Sequence, residues 1–212
     1  MPKKLSYFNL NGLAEPIRYI LHYTNQKFED VRYDVYSWPD PKIKASLPYG
    51  QFPVYEEDGR VLTQSLAITK YVARGTDLVP TDPWDNAFIE SVVFSIMDYW
   101  KNVVPTVREP DPAKYTELRN EIIEKNIPYY FSRFNKHLED NGGFLNGKLS
   151  WGDFVFCGVI EASDMFLGIE LSKDYPAVGT LVQHIRNLPG VKEYVKAIGP
   201  YTIDLARFKY KK

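Results

Sequence analysis

Strand-like patterning in this chain stops at about Leu62. Beyond that point apolar residues follow helical spacing only. The asymmetry restricts the architecture to a small α/β unit followed by an all-helical one. Residues 4–9 read as a strand ending in an Asn11-Gly12 turn. Residues 14–24 read as a helix: Pro16 sits in the first turn, where a missing N–H costs nothing, and Ile17, Ile20, Leu21 and Thr24 share one face. Residues 29–35 return as a strand, and a short irregular helical stretch follows Trp38-Pro39. Two short strands flank Asp58-Gly59, a strong hairpin signal, and a helix over 65–74 offers Leu66, Ile68, Tyr71 and Val72 to the core. The order is β-α-β-α-β-β-α, with a mixed sheet of four strands.

The boundaries expected are 1–75 for this unit, 76–83 for a Gly- and Pro-bearing linker, and 84–212 for the helical unit. Within the latter, long helices are predicted over 84–107 and 115–141. Another starts at Ser150, where Asp153 three residues on completes a capping-box pattern. Asp174-Tyr175-Pro176 and Leu188-Pro189-Gly190 punctuate two shorter helices.

Charge excludes several functions. Among 212 residues, 26 Lys and Arg oppose 27 Asp and Glu, which gives no electrostatic case for nucleic acid or an anionic membrane surface. The basic end, residues 209–212, reads as a solvated tail. No apolar stretch is long enough to span a bilayer, and no secretory signal pattern is seen. The single cysteine, Cys157, forbids an internal disulfide, points to the cytoplasm and lies on an apolar helix as a small core residue. His22, His137 and His184 lack ligand-like spacing, so no zinc site is expected; no Gly-rich phosphate loop occurs.

Five blocks in order carry a resemblance. They are Tyr7-Phe8-Asn9 with Gly12 and Ala14-Glu15-Pro16-Ile17-Arg18-Tyr19; Trp38-Pro39; residues 48–54; Gln64-Ser65-Leu66-Ala67-Ile68 with Tyr71; and Ser150-Trp151-Gly152-Asp153. At these separations the chain resembles the sigma-class cytosolic glutathione transferases, whose relatives include haematopoietic prostaglandin D synthase and the S-crystallins. The resemblance implies a thioredoxin-like first domain. It also implies a homodimer and conjugation of glutathione, as co-substrate, to hydrophobic electrophiles, with no permanently bound cofactor. Peroxide reduction is a possible addition. A prostaglandin isomerase and a crystallin-like structural protein are the alternatives.

The same resemblance assigns roles. Tyr7 is the catalytic residue: a phenol that donates to sulfur favours the thiolate, and the thiolate is the nucleophile. Gln51, Phe52 and a cis Pro53 present backbone to the cysteinyl part of glutathione. Gln64 and Ser65 stand at a helix start, whose free N–H groups suit the γ-glutamyl carboxylate. Trp38 and Lys42 hold the glycyl carboxylate, with Lys44 a rival because this loop is one residue longer than in relatives. Asp98 reaches the partner's γ-glutamyl ammonium. Phe8, Leu13, Trp100 and Val104 line the electrophile pocket, with the C-terminal tail.

Departures temper these roles. Leu13 stands where the family often has an arginine that supports the thiolate, so weaker thiol activation is expected. Phe94 and Met97 replace the acids of the prostaglandin synthase's interfacial metal site, so no such metal site is expected here. That enzyme's pocket tryptophan falls near Val104-Pro105.

Overall fold

A computed structural model describes residues 3–208; the basic end lies outside the described residues. The first unit holds one four-stranded sheet, order β2-β1-β3-β4, made of β1 (Lys3–Phe8), β2 (Phe28–Tyr33), β3 (Val54–Glu57) and β4 (Arg60–Thr63). β1 runs parallel to β2, with Tyr7 opposite Arg32, and antiparallel to β3, with Leu5 opposite Tyr55. The sheet is mixed, as the pattern predicted. The β3–β4 turn takes Asp58 and Gly59 at φ 50° and 75°, the left-handed pair a tight hairpin requires.

Three helices complete this unit: α1 (Glu15–Tyr23), α2 (Pro41–Ser46) and α3 (Ser65–Val72). α1 buries Ile17, Ile20 and Leu21 completely, the face read from its spacing, while the Thr24 hydroxyl caps it by donating to Ile20 O at 2.6 Å. Each such side chain contributes about 1.5–3 kcal/mol when fully buried.

The second unit is helical throughout its described length. It comprises α4 (Pro83–Val107), α5 (Pro112–Glu121), α6 (Ile127–Asp140), α7 (Trp151–Leu167), α8 (Leu171–Asp174), α9 (Pro176–Arg186), α10 (Val191–Ile198) and α11 (Leu205–Phe208). The helix expected over 115–141 starts earlier and contains a π-helical stretch, Ile122–Asn126, between α5 and α6. Pro128 accounts for it: the ring would clash with a carbonyl four residues back, and a wider turn relieves that clash.

α7 is the central element, with Phe154, Phe156 and Cys157 wholly buried. Its capping box forms: Ser150 N donates to Asp153 Oδ2 at 2.7 Å. Asp153 also accepts from Ser150 Oγ at 2.6 Å and Leu145 N at 2.9 Å, so one carboxylate fastens both the helix and the loop before it. The units meet at Gly158, where a Cβ would stand 2.7 Å from the Pro16 ring of α1. No helix among the described residues is long and apolar enough to cross a membrane.

Candidate active site

The end of β1 carries Tyr7 into a cavity of ≈ 600 Å³ between the two units. Its position is over-determined. Arg18, wholly buried on α1, donates to Leu10 O at 2.7 Å and Phe8 O at 3.2 Å, and pairs with Glu15 at 3.1 Å and Asp30 at 3.1 Å. These bonds hold the chain as it leaves the strand. A one-turn 3₁₀ helix, Gly12–Ala14, then brings Leu13 N to Tyr7 Oη at 3.2 Å. Gly12 has φ +59°, and a Cβ on it would stand 2.8 Å from Tyr7 Oη. Only glycine lets the turn approach so closely.

Burial pushes the Tyr7 phenol upward, opposed in part by the Leu13 N–H and by the charges of Arg18 and Arg108. The group therefore keeps its proton at neutral pH. Its oxygen accepts from Leu13 N, and its O–H remains to donate toward the cavity.

The cavity wall comes from both units. Phe8, Leu13 and Trp38 line it from the first; Trp100, Val104, Arg108, Phe166 and Phe208 line it from the second. Phe8, Trp38 and Phe52 form an aromatic cluster with centroids 5.3–5.5 Å apart, so Trp38 packs as well as lines. A smaller adjoining recess is lined by Leu13, Gln51, Phe52, Pro53, Gln64 and Ser65. The Phe52–Pro53 peptide is cis, as is Trp38–Pro39. Gln64 takes φ 70° as the residue preceding α3, a sparsely populated conformation for a non-glycine residue.

Two candidates fall elsewhere. Lys44, not Lys42, lines the cavity, and Lys42 is exposed. Two residues along a helix turn the side chain by roughly 200°, so the pair face opposite ways and only one can look inward. Asp98 lies on the exposed face of α4, paired with Lys101 at 2.7 Å, and does not line this chain's cavity.

Arg108 was not picked out by pattern. A basic residue ending a long helix reads as solvated, yet it lies over the Phe208 ring at 5.5 Å and lines the cavity. Among the described residues, the charged side chains on the two cavity walls are Lys44, Lys101 and Arg108, all cationic. Among the described residues no group of three or more His, Cys, Asp or Glu side chains could hold a metal ion.

A cavity with cationic walls beside a phenol at a strand end, in a sheet of this order, meets a matching sequence profile. The glutathione S-transferase N-terminal domain matches residues 3–74 and the C-terminal domain residues 97–197. The chain belongs to the glutathione S-transferase family. It is therefore a transferase that uses glutathione as a substrate. It is similar to glutathione S-transferase of Anopheles gambiae, 34% identical over 197 residues that cover 91% of this chain and 94% of the relative. Haematopoietic prostaglandin D synthase of Homo sapiens is 29% identical over 193 residues, covering 91% and 94%. Among solved structures, prostaglandin synthase D of Nilaparvata lugens superposes with TM-score 0.87 at 36% identity, covering 92% of this chain and 98% of that one. For this transferase, the recess and the larger cavity are the candidate substrate sites.

Proposed function

We propose that this glutathione S-transferase is of the sigma class, a cytoplasmic detoxifying enzyme that conjugates glutathione to hydrophobic electrophiles through Tyr7. The observation that carries the reading is the pinned phenol: Leu13 N occupies the Tyr7 oxygen at 3.2 Å, which leaves its O–H to donate. In this mechanism the O–H meets the glutathione sulfur and favours the thiolate over the thiol, whose free pKa is about 8.5. The thiol proton leaves to solvent. The sulfur lone pair forms the C–S bond while the leaving group departs with its electron pair.

In the same reading residues 1–75 bind glutathione, 76–83 link, and 84–212 complete the electrophile pocket. Ser65 and Gln64 receive the γ-glutamyl carboxylate, the Phe52 backbone before Pro53 receives the cysteinyl part, and Trp38 with Lys44 receives the glycyl carboxylate. The all-cationic walls suit a tripeptide with two carboxylates and a forming thiolate. Phe8, Leu13, Trp100 and Val104 face the electrophile. Prostaglandin isomerisation is the second reading, favoured by the likeness to enzymes bearing that name.

The test is Tyr7→Phe assayed with an aryl halide at neutral pH. Loss of one hydrogen bond to a charged sulfur, about 1.5–3 kcal/mol, should lower turnover roughly ten- to hundredfold. The bound thiol's pKa, read from its ultraviolet absorbance, should rise. Unchanged turnover with an unchanged thiol pKa would remove Tyr7 from the mechanism. Prostaglandin H offered alongside the aryl halide separates the two readings.

A further inference from the structure

A second cavity, of ≈ 480 Å³, shares no lining residue with the first. It opens between α1, α7, α9, α10 and residues 199–201. Its charge is lopsided: Glu15, Glu161, Asp164 and Glu170 line it against a single guanidinium, Arg186. Two of the four are matched internally. Arg186 pairs with Glu161, which also accepts from Tyr19 Oη at 2.7 Å. Arg18 pairs with Glu15 at 3.1 Å. Glu170 pairs with Lys173 at 2.6 Å, an exposed contact that water weakens.

Asp164 differs. Its Oδ1 accepts from Leu171 N at 3.0 Å, and among the described residues no cation pairs with it. Burial, with Glu170 and Glu161 nearby, pushes its carboxyl up to about 6, so it is ionised at neutral pH and lacks a counter-charge.

A second observation points the same way. Asn11 lines this cavity at 5% exposure, and its buried side-chain oxygen has no hydrogen-bond partner. A buried acceptor left unmade costs about 1–3 kcal/mol, so a donor that reaches this oxygen would be favoured. The acceptors offered are a carboxylate and an amide oxygen, and an ammonium carries three donors and no acceptor. Met165, Val195 and Ile198 supply an apolar stretch of wall for a methylene stem. A metal ion fits poorly, because no cluster of three ligand side chains exists among the described residues.

We propose that this cavity is a binding site for aliphatic ammonium compounds, held by Asp164 and Asn11 and separate from the glutathione site. The test is calorimetric titration of the full-length protein with 1,4-diaminobutane at constant ionic strength, paired with NaCl and MgCl2 controls. Saturable binding of one diamine per chain is expected, weakened at least tenfold in Asp164→Asn. That variant keeps an oxygen for Leu171 N–H. Glu170→Gln, at the cavity mouth, should weaken binding severalfold and serves if the first variant fails to fold. Binding heat reproduced by NaCl alone, or affinity unchanged within twofold in the folded variants, would overturn the site and leave the cavity to water. Amide NMR shifts on diamine addition should centre on Asn11 and Leu171; shifts centred on Trp38 and Gln51 would overturn it too.

Discussion

Gly12 lets the backbone turn close on the Tyr7 hydroxyl. Alanine there meets two obstacles: a positive φ that L-residues resist, and Tyr7 Oη only 2.8 Å from the new methyl. Gly12→Ala should cost more than about 1 kcal/mol of stability. It should also lower turnover by roughly tenfold or more, because the hydroxyl must leave its bond to Leu13 N. Thermal unfolding beside steady-state kinetics checks both; a folded variant with full turnover would show that the turn does not aim the phenol. Sequence reading found this glycine as a turn residue, since Asn-Gly is a local signal. It could not find what the glycine makes room for, because Tyr7 Oη approaches it through space. The choice of Lys44 over Lys42, and the place of Arg108, escaped for related reasons. The choice between Lys42 and Lys44 depends on helix phase after a short loop. Arg108 matters only because Phe208, far along the chain, lies beside it.

Elements were more legible, because capping and periodicity are written locally. The box at Ser150 and Asp153 formed as read, and so did the Asp58-Gly59 hairpin. The π-helical stretch before α6 was not legible, since a proline predicts a break without saying how it is relieved. The cap also has a pH signature. Burial raises Asp153 to about 6 despite the three donors it faces. An unfolded aspartate titrates near 3.9, so between those values the folded state binds the proton more tightly. This group's contribution is thus fully present below about pH 4 and is lost as pH rises through about 6. The change is on the order of 3 kcal/mol. Urea unfolding at pH 4.5 and 6.5 should reveal a smaller pH difference in Asp153→Asn than in the parent, beneath a general loss of stability from the poorer cap. Equal differences in the two proteins would mean that Asp153 does not titrate in this window.

At the scale of the molecule, several large apolar side chains of the helical unit are exposed. Trp84 and Phe94 on α4 and Tyr129 on α6 are 57–79% exposed. We propose that the part of the helical unit carrying them is a contact surface. A second copy of this chain is the proposed occupant, with Asp98 of α4 serving the neighbour's glutathione. Sedimentation should give a two-chain mass. Asp98→Ala should weaken glutathione binding severalfold with that mass unchanged; a fully active monomer would overturn the arrangement. None of this was legible from pattern alone, since an exposed phenylalanine and a core one look alike in sequence. The join between the two units carries one last consequence, at Leu13, which lines both the large cavity and the adjoining recess. Its backbone N–H holds the tyrosine, and any residue but proline would supply the same donor. Position 13 can therefore exchange one side chain for another, and so reshape both walls at once, without untying the tyrosine, because the tether belongs to the backbone.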